Sequence, residues 1–104
     1  MDKGIIKIIN RYILYLQKEH IKIDKVFLFG SYATSKQSDY SDIDLALIYD
    51  DISIDNFDLQ VKMLSLASDI DTRIEPHPIN TIDFNNDNPL AFEIIKTGKE
   101  IKFK

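Results

Sequence analysis

Apolar residues recur every three or four positions along the first stretch of the chain: Ile5, Ile6, Ile9, Tyr12, Ile13 and Leu16. That spacing lays a single apolar stripe along a helix and predicts one over about residues 2–19. The period then shortens. Lys25–Phe29 is a brief continuous apolar run ended by Gly30, which reads as a strand. A second strand is expected at Ile43–Tyr49. Successive strand side chains alternate, so Ile43, Leu45 and Leu47 share one face and Asp42, Asp44 and Ala46 the other. Helical spacing returns at Phe57, Val61, Leu64 and Ala67 or Ser68, with Asp55 placed to cap the helix and the aromatic Phe57 expected in the core.

Residues 72–75 predict a third strand, stopped by Pro76 and Pro78 because proline cannot donate to a sheet ladder. Asn88-Pro89 opens a last helix over about residues 89–97, with Gly98 as its stop. The tail "KEIKFK" suits an edge strand. The expected order is α-β-(α)-β-α-β-α with that short strand after it. This is an α/β (α+β) domain in which helices cover a mixed sheet.

Composition narrows the classes. The 104 residues are expected to form one domain, 1–104, with a modest core. A net charge of −4 argues against a basic nucleic-acid surface, though not against a nucleotide held through metal ions. There is no cysteine, which removes disulfides, thiolate catalysis and cysteine-based zinc sites. Apolar runs are short and interrupted by charge, so no membrane span is expected. With no signal-peptide pattern at the N-terminus, the reading is a cytoplasmic protein.

The chemistry concentrates in "FLFGSYATSKQSDYSDIDLALIYDD", residues 27–51. Residues i and i+2 on a strand face the same way, roughly 6.5–7 Å apart. Asp42 and Asp44 can therefore converge on hard cations such as Mg²⁺, which favour oxygen ligands and substrate phosphates. Two such ions about 3.5–4 Å apart activate an attacking oxygen and stabilise a leaving one. A third carboxylate on a neighbouring strand would complete the site. Glu75 is the better candidate, since Asp71 shares its parity but lies nearer the strand's start. Upstream, Gly30 lets backbone approach a phosphate without a Cβ in the way, and Ser31 with the following amides can donate to phosphate oxygens.

These residues resemble the nucleotidyltransferase superfamily that includes DNA polymerase beta. Its signature is an apolar residue, Gly-Ser, about ten residues and then Asp-x-Asp, with a third carboxylate on a later strand. Phe29-Gly30-Ser31, residues 32–41 and Asp42-Ile43-Asp44 match it. Within that superfamily the chain is similar to the minimal nucleotidyltransferases, known as MNT proteins, over nearly its whole length. The fuller family string is met at Gly30, Ser31, Ala33, Ser41, Asp42, Ile43, Asp44 and Leu45, but Thr34 and Ser35 stand where Arg and Gly are common.

The resemblance implies metal-dependent transfer of a nucleoside monophosphate, with ATP or another nucleoside triphosphate as donor and two Mg²⁺ ions on Asp42, Asp44 and Glu75. It also implies a helical HEPN-domain partner in a toxin–antitoxin module, with AMP passed to a tyrosine of the toxin. A chain of this size leaves no room for an acceptor domain, so a partner protein or a second copy is expected to supply the acceptor.

Other readings account for less. "GSYATSKQ" is not a P-loop, because Ser35 and Gln37 replace the required Gly and Ser/Thr. "DYSDID" lacks the Gly and Glu of a calcium loop. A solvated strand face would explain two alternating aspartates but not the Gly-Ser at the matching distance. His77 is two residues from Glu75 and can reach the same mouth, although a rigid Pro-His-Pro turn explains it equally well. Arg73 shares that parity and is a candidate partner for the carboxylates. An antitoxin acting by occlusion, or an enzyme modifying a small molecule, are the two functional alternatives.

Overall fold

The computed structural model describes residues 3–34, 36 and 41–103. Ser35 and Gln37, singled out above, lie outside them. The elements are α1 (Lys3–Lys18), β1 (Lys25–Phe29), β2 (Ile43–Tyr49), α2 (Asn56–Ser68), β3 (Ile74–Asn80), α3 (Pro89–Thr97) and β4 (Lys99–Ile101). One 3₁₀ turn, Gly30–Tyr32, follows β1, and a second, Thr81–Asp83, follows β3. The sheet is mixed, in the order β3-β2-β1-β4. Here β1 runs antiparallel to β2 and β4, while β2 and β3 are parallel and joined through α2.

Alternation along β2 gives the sheet two cores. Ile43, Leu45, Leu47 and Tyr49 pack with Val26 and Leu28 against Ile9, Tyr12 and Leu16 of α1 and Leu59, Met63 and Leu66 of α2. Tyr12 is fully buried, and its hydroxyl donates to the Met63 carbonyl at 2.8 Å, tying the two helices together. On the other face, Phe29, Ala46, Ile48 and Ile79 pack against Ile94 of α3. That helix starts as its sequence suggests: the Asn88 side chain accepts from the Leu90 and Ala91 amides, with Pro89 in the first turn. It is only nine residues long, and the start of β2 extends past its cover. Among the described residues no helix is long and apolar enough to cross a membrane.

Two expectations need correction. Asp55 caps α2 as anticipated, accepting from the Asp58 amide, but the helix is rotated. Leu59, Met63, Leu66 and Ala67 are buried, whereas Phe57, Val61 and Leu64 are exposed. The cause lies at the edge of the sheet. Asn56 donates to the Pro78 carbonyl and the Tyr49 hydroxyl, and Gln60 donates to the Pro76 carbonyl. Those polar anchors hold the 56-60-63-67 stripe against the sheet and turn the 57-61-64 stripe outward.

The prolines, moreover, do not stop β3, which runs from Ile74 to Asn80 through both of them. It is an edge strand, and Pro76 and Pro78 have the same parity. Their missing N–H groups face away from β2, where no ladder bond is needed. Asn56 and Gln60 satisfy the carbonyls on that outer side.

Candidate active site

β1 ends at Phe29, which pairs across the antiparallel ladder with Asp44. The chain must then leave the sheet next to Asp44, and Gly30 makes the turn at φ 72°. A Cβ on Gly30 would collide with the Asp44 carboxylate, so the lack of a side chain is what lets backbone and carboxylate share the space. The turn is closed by its own bonds. The amides of Ala33 and Thr34 and the Thr34 hydroxyl all converge on the Gly30 carbonyl at 3.2 Å. Thr34, one of the two positions that depart from the family string, thus braces this turn. Ser31 is half-buried within it, and its carbonyl accepts from the Lys36 amide at 2.9 Å.

On the other side of Asp44 lies β3. The parallel register sets Asp44 beside Glu75 and Ala46 beside His77. Side chains at paired positions share a face, so the two carboxylates and the imidazole project together from the part of the sheet that α3 leaves open. His77 Nε2 lies 3.4 Å from Asp44 Oδ1 and 3.9 Å from Glu75 Oε1. One ligand atom from each of the three residues falls within 4.8 Å of the others. The His77 ring is held edge-on to Phe29, with centroids 5.1 Å apart.

Asp42 stands just before β2, exposed, with its carboxyl group beside that of Glu75. Glu75 therefore sits amid like charge. Partial burial, the adjacent Asp42 carboxyl group and the negative charge of Asp44 all push its carboxyl above the ordinary value, and His77 opposes them. A divalent cation would relieve that crowding, and the ligand atoms that converge are the oxygens of Asp44 and Glu75 with Nε2 of His77, while Asp42 stands outside that group beside Glu75. The residues fit such an ion.

The remaining sequence candidates separate from this group. Arg73 pairs with Asp71 instead of the site carboxylates, through bonds of 2.9 and 3.1 Å, and also reaches the Tyr32 hydroxyl. Asp71 is held below its ordinary pKa by that guanidinium and is taken up by it. His77 was legible only as an open choice, because its parity with Glu75 counts only if the strand continues through Pro76. A cavity of about 360 Å³, lined by His20, Lys22, Tyr49, Asp51 and Lys62, lies toward the opposite end of β2 and holds none of the site residues.

The sequence family described as "Polymerase beta, Nucleotidyltransferase" matches residues 10–104. No curated protein sequence matches the chain. Among solved structures, a mutant of the toxin–antitoxin MntA–HpeT is similar at 25% identity and a TM-score of 0.63, covering 91% of this chain and 72% of its own. A toxin–antitoxin structure with AMP-PNP is similar at 25% identity and a TM-score of 0.64, covering 91% and 73%. A protein from Sulfolobus solfataricus with a provisional nucleotidyltransferase assignment shares the fold at 19% identity and a TM-score of 0.65, covering 91% and 77%.

Proposed function

Because the chain belongs to the polymerase beta nucleotidyltransferase family, we propose that it transfers a nucleoside monophosphate, AMP from ATP, to a hydroxyl on a partner protein. The observation that carries this reading is the Asp44–Glu75 pair, set side by side by strand register and backed against Gly30. Asp42, Asp44 and Glu75 would hold divalent ions, Mg²⁺ in the simplest case, which supply charge neutralisation at the triphosphate and its leaving group. The Gly30–Tyr32 turn and Ser31 receive the phosphates. Glu75, at the edge of the ion site, accepts the proton of the attacking hydroxyl at a carboxylate oxygen. The acceptor's hydroxyl oxygen, its proton passed to Glu75, forms the new bond to the α-phosphorus as the bond from that phosphorus to the α–β bridging oxygen breaks, and pyrophosphate leaves with that oxygen.

Two similarities support the choice of donor and acceptor. One neighbour is a toxin–antitoxin structure with AMP-PNP, an ATP analogue, and another is a toxin–antitoxin MntA–HpeT. On this reading the chain is an antitoxin, and its partner, a helical HEPN-type toxin, is the protein it modifies. A rival reading, neutralisation by occlusion alone, draws on the exposed Phe57, Val61 and Leu64 stripe, which would suit a docking surface with or without catalysis.

The test is to incubate the chain with α-labelled ATP, Mg²⁺ and a helical HEPN-domain protein as candidate partner. Label on that protein, lost in an Asp42→Asn variant, is the expected result. Neutralisation without label overturns transfer in favour of occlusion, and label on a small molecule from extract overturns the protein acceptor.

A further inference from the structure

We propose that His77 is itself a metal ligand, through Nε2, and that the Asp44–Glu75–His77 centre prefers a first-row transition ion to Mg²⁺. This rests on the metal-dependent reading above and goes beyond it, since a centre of carboxylates alone needs no histidine. The geometry comes first. Two ligand atoms each about 2.1 Å from one ion lie about 3.4 Å apart at a tetrahedral angle and at most about 4.2 Å apart when opposed. The observed separations from Nε2, 3.4 Å to Asp44 and 3.9 Å to Glu75, fall within that span. As a direct hydrogen bond, 3.4 Å is at the weak limit.

The second argument is preorganisation. Glu75 precedes Pro76, and His77 precedes Pro78. A following proline disfavours the helical backbone region, so both residues are confined to extended conformations even before the strand pairs. With the same parity on one strand, they are delivered to the same face. The His77 ring is then oriented by Phe29, the residue that also pairs with Asp44. A histidine serving only as a counter-charge needs none of this alignment.

The third argument is donor chemistry. Imidazole nitrogen binds Mg²⁺ poorly and suits Zn²⁺, Fe²⁺, Ni²⁺ and Cu²⁺, so a mixed oxygen and nitrogen set widens the discrimination that carboxylates alone make; Mn²⁺, the weakest-binding of the first-row ions, is the most demanding case. His77 thereby becomes a determinant of which ion the protein carries.

Mn²⁺ is the probe, because it is paramagnetic and also binds carboxylate sites. Purified chain titrated with Mn²⁺ is expected to show nitrogen-14 modulation in its electron spin echo, and Mn²⁺ is expected to displace Mg²⁺. In His77→Gln the nitrogen signal should vanish and the Mn²⁺ dissociation constant should rise at least about tenfold, since even outer partners of metal ligands are worth that much. Mg²⁺ affinity should change little, and the metal-free melting temperature should hold. Mn²⁺ bound without nitrogen coupling overturns the role of His77 while leaving the carboxylate site standing. If neither Mn²⁺ nor Mg²⁺ binds, with or without ATP, the metal site itself is overturned.

Discussion

Among the described residues, Gly30 at φ 72° and His20 at φ 62° both stand in the left-handed backbone region. Their circumstances are opposite. His20 closes the end of α1, where its amide donates to the Gln17 carbonyl and the Ile21 amide to the Leu16 carbonyl. Glycine commonly fills such a position, and a Cβ there costs about 1–2 kcal/mol. His20→Gly should therefore stabilise the protein by about 0.5–1 kcal/mol, once the greater chain entropy of glycine is set against the relief. Gly30→Ala should do the reverse. It incurs the same left-handed cost, about 1–2 kcal/mol, and also drives a methyl group into the Asp44 carboxylate. Thermal melts should move by about 4–8 °C per kcal/mol, upward for His20→Gly and downward for Gly30→Ala. Only Gly30→Ala should also weaken Mn²⁺ binding. Equal metal affinity in both variants would show that Gly30 does not position Asp44.

At the scale of elements, α2 carries two apolar stripes and buries one of them. Met63→Ala should cost about 2–5 kcal/mol, the usual result of emptying a buried site, whereas Phe57→Ser should stay within about 0.5 kcal/mol. Urea unfolding of the two variants measures the contrast, and a comparable loss in both would mean that the helix is docked differently. The rotation of α2 was hidden in the sequence because it depends on where Asn56 and Gln60 find carbonyls, and those carbonyls lie 22 and 16 residues further along the chain, on β3. Period and capping are local signals, and they placed β1, β2 and α3 and the Asp55 and Asn88 caps correctly. The run of β3 through Pro76 and Pro78 was not local, since proline is tolerated there only because the strand lies at an edge with its donor positions facing outward. The site divides the same way. The Gly-Ser and Asp-x-Asp spacing is readable on the page, but the place of His77 beside Asp44 required the β2–β3 register. Arg73 likewise found a closer partner in Asp71 than any face-sharing argument could reveal.

For the molecule as a whole, one seven-residue strand carries the main core on one face and acidic chemistry on the other. Stability and activity should therefore respond in opposite directions to substitutions one residue apart. Leu45 is fully buried against α1 and α2. Leu45→Asn empties that site, at about 2–5 kcal/mol, and buries an amide without partners, at about 1–3 kcal/mol more. Against a total stability of about 5–15 kcal/mol, the domain should melt far lower or fail to fold. Asp44→Asn keeps the shape of the side chain and removes one of three crowded negative charges, so the metal-free melting temperature should hold or rise. The metal loses an anionic ligand in the same stroke. With ions and ATP at about 100 times their dissociation constants, the wild-type protein should gain roughly 2.7 kcal/mol of stability, and Asp44→Asn should gain little of it. The two melting curves should then stand in one order without ligands and in the reverse order with them, while nucleotide transfer by Asp44→Asn falls by orders of magnitude. Unfolding of Asp44→Asn without ligands would contradict the division of β2 into two faces. A full ligand-induced gain in that variant would contradict the place of Asp44 in the metal site.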